Sequence, residues 1–211
     1  DPEDVTALLA CYGVQLWPSV RVRTPDEAVR AADRVGWPVA VKATQRHLRH
    51  PGLGGVRLEV STESELRAHV SAMLAGPAGG GSSREPDLLV QAMAGSGIGV
   101  LVRTLEDPLF GPLVSFGLAG DTTVLLGDVS HRIPPLTDVD VSDLVRTLRA
   151  SPRLFGYMGT PAVDVASLED LLARISVMAD DLPEVLSSEL SPVQVGERGL
   201  AVLGAQVELA V

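Results

Sequence analysis

The order of helical and strand patterns along the chain limits its possible folds more than any single motif does. In the first half the patterns alternate, with helices predicted over 5–12, 24–35 and 62–76 and strands over 16–22, 38–42 and 56–60. A strand-rich stretch follows, with strands predicted over 87–93, 99–105, 110–118 and 123–133. The chain then returns to helices over 137–149 and 167–179 and to strands over 189–195 and 200–209. This mixed order predicts an α+β fold of two lobes rather than one doubly wound sheet.

The composition supplies a core for two such lobes. Hydrophobic residues form 45% of the 211 residues but aromatic residues only 3%, so Val, Leu and Ala must fill that core. We place the boundary after residue 93, which gives an N-terminal lobe of residues 1–93 and a C-terminal lobe of residues 94–211. The low-complexity stretch at 76–86, GPAGGGSSREP, lacks the glycine spacing of a phosphate-binding loop, so a plain linker is the better interpretation.

The charge balance excludes several classes of partner. The formal net charge is -10 and no cluster of Lys or Arg is present, which argues against nucleic acid and against anionic membrane surfaces. Cys11 is the single cysteine, so no internal disulfide is possible. No apolar run has the length of a membrane span, no signal peptide is visible, and the chain starts at Asp1 rather than Met. We therefore expect a cytoplasmic protein and a chain cut from a longer polypeptide.

Lys42 is the only lysine, whereas the other sixteen basic residues are arginines. It stands at the end of the apolar strand PVAVK, where a compact ammonium group on a flexible stem can reach a phosphate oxygen as a point charge. The alternative is a strand residue whose stem is buried and whose charged head lies in water. Composition alone leaves these two interpretations open.

Two adjacent glycines, Gly54 and Gly55, precede the strand at 56–60 and follow a basic stretch at 47–50. Glycines in such a position let the backbone approach a ligand closely, and basic neighbours can help to hold a polyphosphate. A surface turn with chance His and Arg side chains explains the same residues equally well. The choice between the two needs more than local sequence.

Several longer segments carry a resemblance that runs through nearly the whole chain in order. These segments are PVAVKAT, LRHPGLGGVRLEV, EDPLFGPLVSFGLAG, LLGDVSHRIPPLTDVD, LFGYMGTPAVD, DLPEVLSSELSPVQV and GLAVLGAQVEL. Together they resemble the ATP-grasp domain of ADP-forming acyl-CoA synthetases, the acetate–CoA ligase family. The LRH and LGGVRL segments are most similar to actinobacterial fusions of this region with a GNAT acetyltransferase domain.

The resemblance implies an ATP-grasp fold, with ATP in a cleft between two α+β lobes. ATP would phosphorylate a histidine of CoA-binding and phosphohistidine domains, in the same polypeptide or in a partner subunit, to support acyl-CoA formation. Those domains lie outside this chain, so we do not expect it to be active alone. By resemblance Lys42 would hold the phosphates, Gly54 and Gly55 would lie near them, and Gln91 and Met93 would meet the adenine. Strand packing is the alternative for Gln91 and Met93.

The resemblance also assigns candidates in the second half. Arg132, in the R-x-PPL segment, would contact phosphate or fix the loop, and we slightly favour the structural role. His131 has no clear role in the family, and Asp128 after the glycine of LLGD is more typical of a turn than of a ligand. Mg²⁺ would accompany ATP, and Glu189 is the candidate metal ligand because carboxylates suit that ion.

Several positions depart from the family pattern. Ser191 stands in place of an Asn, Val124 in place of an acidic residue, Gly204 and Gln206 in place of Asp and Arg, and Gly99 in place of a glutamate. Losing metal and phosphate contacts should weaken catalysis first, because phosphoryl transfer depends on positioning and charge neutralisation. Two hypotheses therefore stand: a nucleotide-binding domain of a working ligase, or a degenerate, non-catalytic ATP-grasp domain that regulates an attached acetyltransferase.

Overall fold

The structure is a computed structural model that describes residues 2–44, 54–76, 87–120 and 125–210. Contacts between residues divide the chain into a smaller unit, residues 17–93, and a larger unit, residues 1–16 with 94–211. The placement of residues 1–16 differs from the predicted 1–93 lobe. The physical reason is burial, because Leu9 and Val14 are part of the hydrophobic core of the larger unit.

The described residues form helices and antiparallel sheets. The α-helices are α1 (Pro2–Cys11), α2 (Pro25–Val35), α3 (Glu63–Ala75), α4 (Asp138–Arg146) and α5 (Val165–Asp181). The strands are β1 (Ser19–Val22), β2 (Val39–Ala43), β3 (Val56–Val60), β4 (Leu88–Ala92), β5 (Ile98–Asp107), β6 (Gly111–Leu118), β7 (Val129–Arg132), β8 (Val185–Val195), β9 (Leu200–Val202) and β10 (Ala205–Leu209). None of the described helices is long and apolar enough to cross a membrane.

The smaller unit is a four-stranded antiparallel sheet in the order β1-β4-β2-β3, with two helices. Helix α2 contacts β1 and β4, and α3 contacts β2 and β3. Small apolar side chains fill the core, as the low aromatic content predicts, and every residue of β2 is buried. Thr24 and Thr62 cap the two helices as the sequence predicts, since their hydroxyls accept from the backbone of Glu27 at 3.2 Å and of Glu65 at 3.3 Å.

The larger unit is a six-stranded antiparallel sheet. Five strands follow the order β10-β8-β5-β6-β7, and β9 pairs with β8. Helix α5 contacts β5, β6 and β8, and α4 contacts α5, β6 and β7. The core between them includes Phe116, Leu144, Leu172, Ile175 and Leu190, all fully buried. Helices α4 and α5 therefore cover the sheet face on which Phe116 and Leu190 lie.

Several predicted elements are shorter or divided in the structure. Within the described part of 123–133 the strand is β7, Val129–Arg132. The helix predicted over 137–149 ends at Arg146. The strand predicted over 200–209 is two strands, β9 and β10. The break lies opposite Pro192, which has no backbone N–H to donate to the neighbouring strand. Two backbone hydrogen bonds still join the segments at this point, from Leu203 N to Pro192 O and from Ser191 N to Gly204 O.

Some sequence predictions fall outside the described residues. They concern most of the predicted linker at 76–86, the basic stretch at 47–50, and Val124.

Candidate functional site

Lys42 and Gln91, predicted separately as nucleotide-binding residues, are hydrogen-bonded to each other in the smaller unit. Both side chains are buried, with exposed fractions of 8% for Lys42 and 4% for Gln91. Lys42 Nζ donates to Gln91 Oε1 at 2.5 Å, and Gln91 Nε2 donates to the carbonyl of Trp17 at 3.2 Å. The contact arises because β2 and β4 are neighbours, with Ala40 opposite Gln91 and Lys42 opposite Leu89. A buried amine held by an amide fits a fixed cationic site rather than a lysine with its head in water.

The glycine pair lies beside Lys42 because β2 and β3 are paired antiparallel. Lys42 is opposite Val56. The next residue, Ala43, donates its backbone N–H to the carbonyl of Gly55 at 2.7 Å. Gly54, two residues before β3, has a φ of 73°, a conformation that L side chains rarely adopt, so this position favours glycine. The structure thus brings Lys42, Gly54 and Gly55 together at one end of the sheet.

Met93 follows β4, and backbone groups in this segment already have partners. Met93 N donates to Pro38 O at 3.2 Å, and Ala92 O accepts from Trp17 Nε1 at 3.0 Å. Both bonds join the end of β4 to neighbouring segments of the same unit. An adenine at this segment would therefore meet the Met93 side chain more readily than its N–H group.

Arg132, at the end of β7, is bound within the larger unit. Its guanidinium donates to the carbonyl of His131 at 2.8 Å, and its backbone is opposite the buried Val114. Hydrogen bonds from Thr137 hold the pKa of Asp140 below its ordinary value, and the nearby charge of Arg132 adds to this effect. These contacts connect Arg132 to the start of α4.

Asp128 ties two segments of the larger unit together. Its carboxylate accepts from the backbone N–H groups of Arg149 at 2.9 Å and Ala150 at 3.0 Å. Asp128 thus has the contacts of a structural residue, and the sequence also favoured a turn residue over a ligand at this position.

A row of polar side chains crosses the larger sheet from edge to edge. Direct cross-strand pairs are His131 with Ser115, Ser115 with Arg103, Arg103 with Glu189, and Glu189 with Gln206. Directly opposed residues lie on one face, and this face is the one opposite to Val102, Val114 and Leu190 of the core. Successive residues of a strand point to opposite faces, so Arg132, next to His131, lies on the core side of β7. Arg132 and Glu189 are therefore on opposite faces of the sheet. We call these five residues the polar row.

Hydrogen bonds and an ion pair join neighbours within the polar row. Arg103 Nη2 lies 2.5 Å and Arg103 Nε 3.2 Å from Glu189 Oε2, with side-chain exposures of 46% for Arg103 and 30% for Glu189. Ser115 Oγ, which is buried, is hydrogen-bonded to His131 Nδ1 at 2.7 Å. Sequence reasoning missed Arg103 and Ser115, because each is an ordinary strand residue until the register places it beside Glu189 or His131.

Within the ranges that the structure describes, no three His, Cys, Asp or Glu side chains lie close enough to hold a metal ion. Glu189 has Arg103 and Gln206 as its cross-strand neighbours, and a guanidinium repels a divalent cation at the same carboxylate. Gly204 contributes its carbonyl to the backbone of Ser191 at 2.9 Å. Glu189 as a ligand of Mg²⁺ therefore stays a prediction.

A separate cavity of about 260 Å³ lies elsewhere in the larger unit. Its lining includes Gly13, Asp170, Arg174 and Val202, and none of the site residues predicted from the sequence. Arg174 Nε is bound to Asp170 at 2.7 Å.

Known proteins resemble this chain over almost its full length. Residues 1–209 match the ATP-grasp domain family. The chain is 35% identical over 204 residues to acetate–CoA ligase [ADP-forming] I of Archaeoglobus fulgidus, covering 96% of this chain and 30% of that protein. It is 29% identical over 209 residues to the acetate–CoA ligase [ADP-forming] I subunit beta of Pyrococcus furiosus, covering 96% of this chain and 88% of that subunit. The chain thus spans under a third of the A. fulgidus ligase.

Solved structures agree with the sequence relatives. The dinucleotide-forming acetyl-coenzyme A synthetase 1 of Ca. Korarchaeum cryptofilum, in complex with coenzyme A, Ca-AMPCP and HgCl+, has a TM-score of 0.86 and 27% identity, with 99% of this chain and 92% of that chain covered. A second structure of that enzyme holds coenzyme A and Mg-AMPPCP, with its phosphohistidine segment pointing towards the nucleotide binding site, at a TM-score of 0.82 and 27% identity, with 100% of this chain and 92% of that chain covered. These likenesses confirm the predicted α+β ATP-grasp fold. With a family match from residue 1 to residue 209, the chain belongs to the ATP-grasp domain family.

Proposed function

We propose that this chain is the nucleotide-binding domain of an ADP-forming acyl-CoA synthetase. The observation that carries the proposal is the buried Lys42–Gln91 pair beside Gly54 and Gly55, in a chain of the ATP-grasp family. The ammonium of Lys42 would bind phosphate oxygens, with backbone of the glycine pair close to them. Gln91 would keep the amine in place. Met93 would cover the base with its side chain.

In the proposed reaction this domain supplies the phosphoryl group. The terminal phosphorus of ATP forms a bond to a ring nitrogen of a histidine on a partner domain, its bond to the bridging oxygen breaks, and ADP leaves. The phosphoryl group then passes to a carboxylate, and the thiol of CoA attacks the acyl carbon while phosphate leaves. The role of this chain is to position ATP and to balance its charge, on which phosphoryl transfer mainly depends. The CoA-binding and phosphohistidine domains would come from the same polypeptide or from a partner subunit.

The choice of this function over a purely regulatory domain has two supports. Relatives that match the chain include ADP-forming acetate–CoA ligases and a beta subunit of such a ligase, and Lys42 is held in a defined position. An actinobacterial source and an attached GNAT acetyltransferase remain part of the proposal on the LRH and LGGVRL segments alone. The full coding sequence checks both. A Mg²⁺ ion would enter with the nucleotide, as in the Mg-AMPPCP complex of the K. cryptofilum enzyme, and we derive no step through it.

Titration calorimetry of the 211-residue chain with ATP tests the proposal. We expect saturable binding, and we expect Lys42→Met to weaken it by at least about tenfold, equivalent to about 1.4 kcal/mol, because the amine is lost from the phosphates. Arg34→Met is the matched control, because Arg34 is an exposed cation on α2 of the same unit. It should bind ATP like the wild type.

Two outcomes would contradict the proposal. One is the absence of heat and of competition at millimolar ATP. The other is unchanged ATP affinity in Lys42→Met when circular dichroism shows that the variant is folded. In the full-length protein, ADP release that depends on carboxylate and CoA would distinguish a working ligase from a regulatory domain.

A further inference from the structure

Trp17 holds the Lys42–Gln91 pair from the other end of the Gln91 amide. We infer that Trp17 is a positioning residue of the proposed nucleotide site, because it fixes the side chain of Gln91 with the amide oxygen towards the amine of Lys42. The inference rests on the proposed function, since it takes ATP as the ligand of Lys42. It adds to that site a residue to which neither the sequence patterns nor the resemblance gave a role.

The two neighbours of the Gln91 amide force it into one orientation. The ammonium of Lys42 can only donate a hydrogen bond, and the carbonyl of Trp17 can only accept one. Gln91 Oε1 therefore lies towards Lys42, at 2.5 Å, and Gln91 Nε2 towards Trp17, at 3.2 Å. A flipped amide would set its NH₂ group against the ammonium and its oxygen against a carbonyl oxygen. Because Gln91 is only 4% exposed, water could replace little of what the flip would lose.

Trp17 is bound to two successive residues of β4. Its carbonyl accepts from the Gln91 side chain, and its indole Nε1 donates to the carbonyl of Ala92 at 3.0 Å. The next residue, Pro18, accepts from Ala92 N at 3.3 Å. Ser19 then lies opposite Gln91 in the pairing of β1 with β4. Because a residue before proline is also restricted to extended backbone, the Trp17 carbonyl meets Gln91 from a segment that β4 itself holds in place.

Trp37, the second tryptophan of the smaller unit, offers a matched control. Its indole Nε1 donates to Asp33, four residues earlier in α2, at 3.0 Å. A change from Trp to Phe keeps an aromatic ring and removes one N–H donor at either position. At Trp37 the lost donor belongs to the end of α2, whereas at Trp17 it belongs to the segment that holds Gln91. The two variants therefore differ in which hydrogen bond they remove.

Titration calorimetry of the 211-residue chain with ATP and MgCl₂ tests the inference. Trp17→Phe loses the donor to Ala92, and we expect it to weaken ATP binding about fivefold, the effect of one ordinary hydrogen bond. Gln91→Met should weaken binding by at least as much. The double variant should bind at most about twofold more weakly than Gln91→Met alone, because Trp17 acts through Gln91. Trp37→Phe should bind ATP like the wild type.

Tryptophan emission gives a second measurement that does not need the Gln91→Met variant to fold. In Trp37→Phe, Trp17 is the only tryptophan left. We expect its emission to change as ATP saturates the chain, because a ligand at Lys42 is connected to Trp17 through a single amide. In Trp17→Phe, ATP should leave the emission of Trp37 unchanged.

The results separate this inference from the proposed function. If Trp17→Phe binds ATP as tightly as the wild type, the inference is wrong while the proposed function stands. The same holds if its effect adds in full to that of Gln91→Met, because Trp17 would then act by another route, or if ATP leaves the emission of Trp17 unchanged. If the wild type does not bind ATP, the proposed function and the inference both fail.

Discussion

Replacing Asp164 with Ala should destabilise the larger unit by about 3 kcal/mol. Asp164 caps α5 and accepts from Ser167 N at 3.0 Å, Ser167 Oγ at 2.8 Å and Gly199 N at 2.7 Å. Loss of a helix cap costs about 1 kcal/mol. Loss of a bond between a carboxylate and the backbone N–H of Gly199, in the turn between β8 and β9, costs about 2 kcal/mol more. Asp164→Asn keeps one acceptor oxygen, so we expect a smaller loss.

Thermal unfolding followed by far-ultraviolet circular dichroism measures the effect. For a chain of this length about 1 kcal/mol shifts the midpoint by 2–4 °C, so Asp164→Ala should lower it by about 6–12 °C. Both tryptophans, Trp17 and Trp37, lie in the smaller unit, so tryptophan fluorescence reports that unit separately. Equal midpoints for the Ala variant and the wild type would refute the reasoning, as would a shift seen by fluorescence alone.

The carboxylate of Asp164 also makes the stability of the chain depend on pH in a definite direction. Hydrogen bonds from the backbone of Gly199 and Ser167 hold the pKa of Asp164 below its ordinary value. A group with a lowered folded pKa contributes stability that is present above its unfolded pKa and is lost as pH falls through the folded pKa. The difference between wild type and Asp164→Ala should therefore be full at neutral pH and shrink in acid below about pH 4. A difference that stays constant down to pH 2 would contradict this account.

Two further predictions concern the backbone of the larger unit. Gly97→Ala should lower the free energy of unfolding by about 2 kcal/mol, because the new methyl group would collide with the backbone carbonyl of Val195. Gly95→Ala is the control: no atom lies within 4 Å of its new carbon, so thermal unfolding should show almost no change. Asp128→Ala should lower the free energy of unfolding by about 1–2 kcal/mol, because the backbone N–H groups of Arg149 and Ala150 lose their acceptor. The same variant should bind ATP with unchanged affinity in calorimetry. Weaker ATP binding would show that Asp128 contacts the ligand.

Local features of this chain were predictable because short-range contacts decide them. The helix starts at Thr24 and Thr62 were predictable because each hydroxyl accepts a hydrogen bond from a backbone N–H only three residues later in the chain. Both caps are present in the structure. The buried strand that ends in Lys42 and the small-residue core were predictable from the apolar pattern for the same reason. The division of 200–209 was not, because the break depends on Pro192 in the neighbouring strand.

The sequence by itself determined the α+β class, the helix caps, the position of Lys42 on a buried strand and, through its resemblance, the ATP-grasp fold. Only the tertiary structure decided which side chains are neighbours. Gln91 meets Lys42 across 49 residues of sequence, and Glu189 meets Arg103 across 86. The physical reason is strand register: a shift of one residue moves a side chain to the opposite face of a sheet, and no local pattern in either strand specifies its partner. The role of Glu189 therefore depends on a pairing that the sequence alone does not reveal.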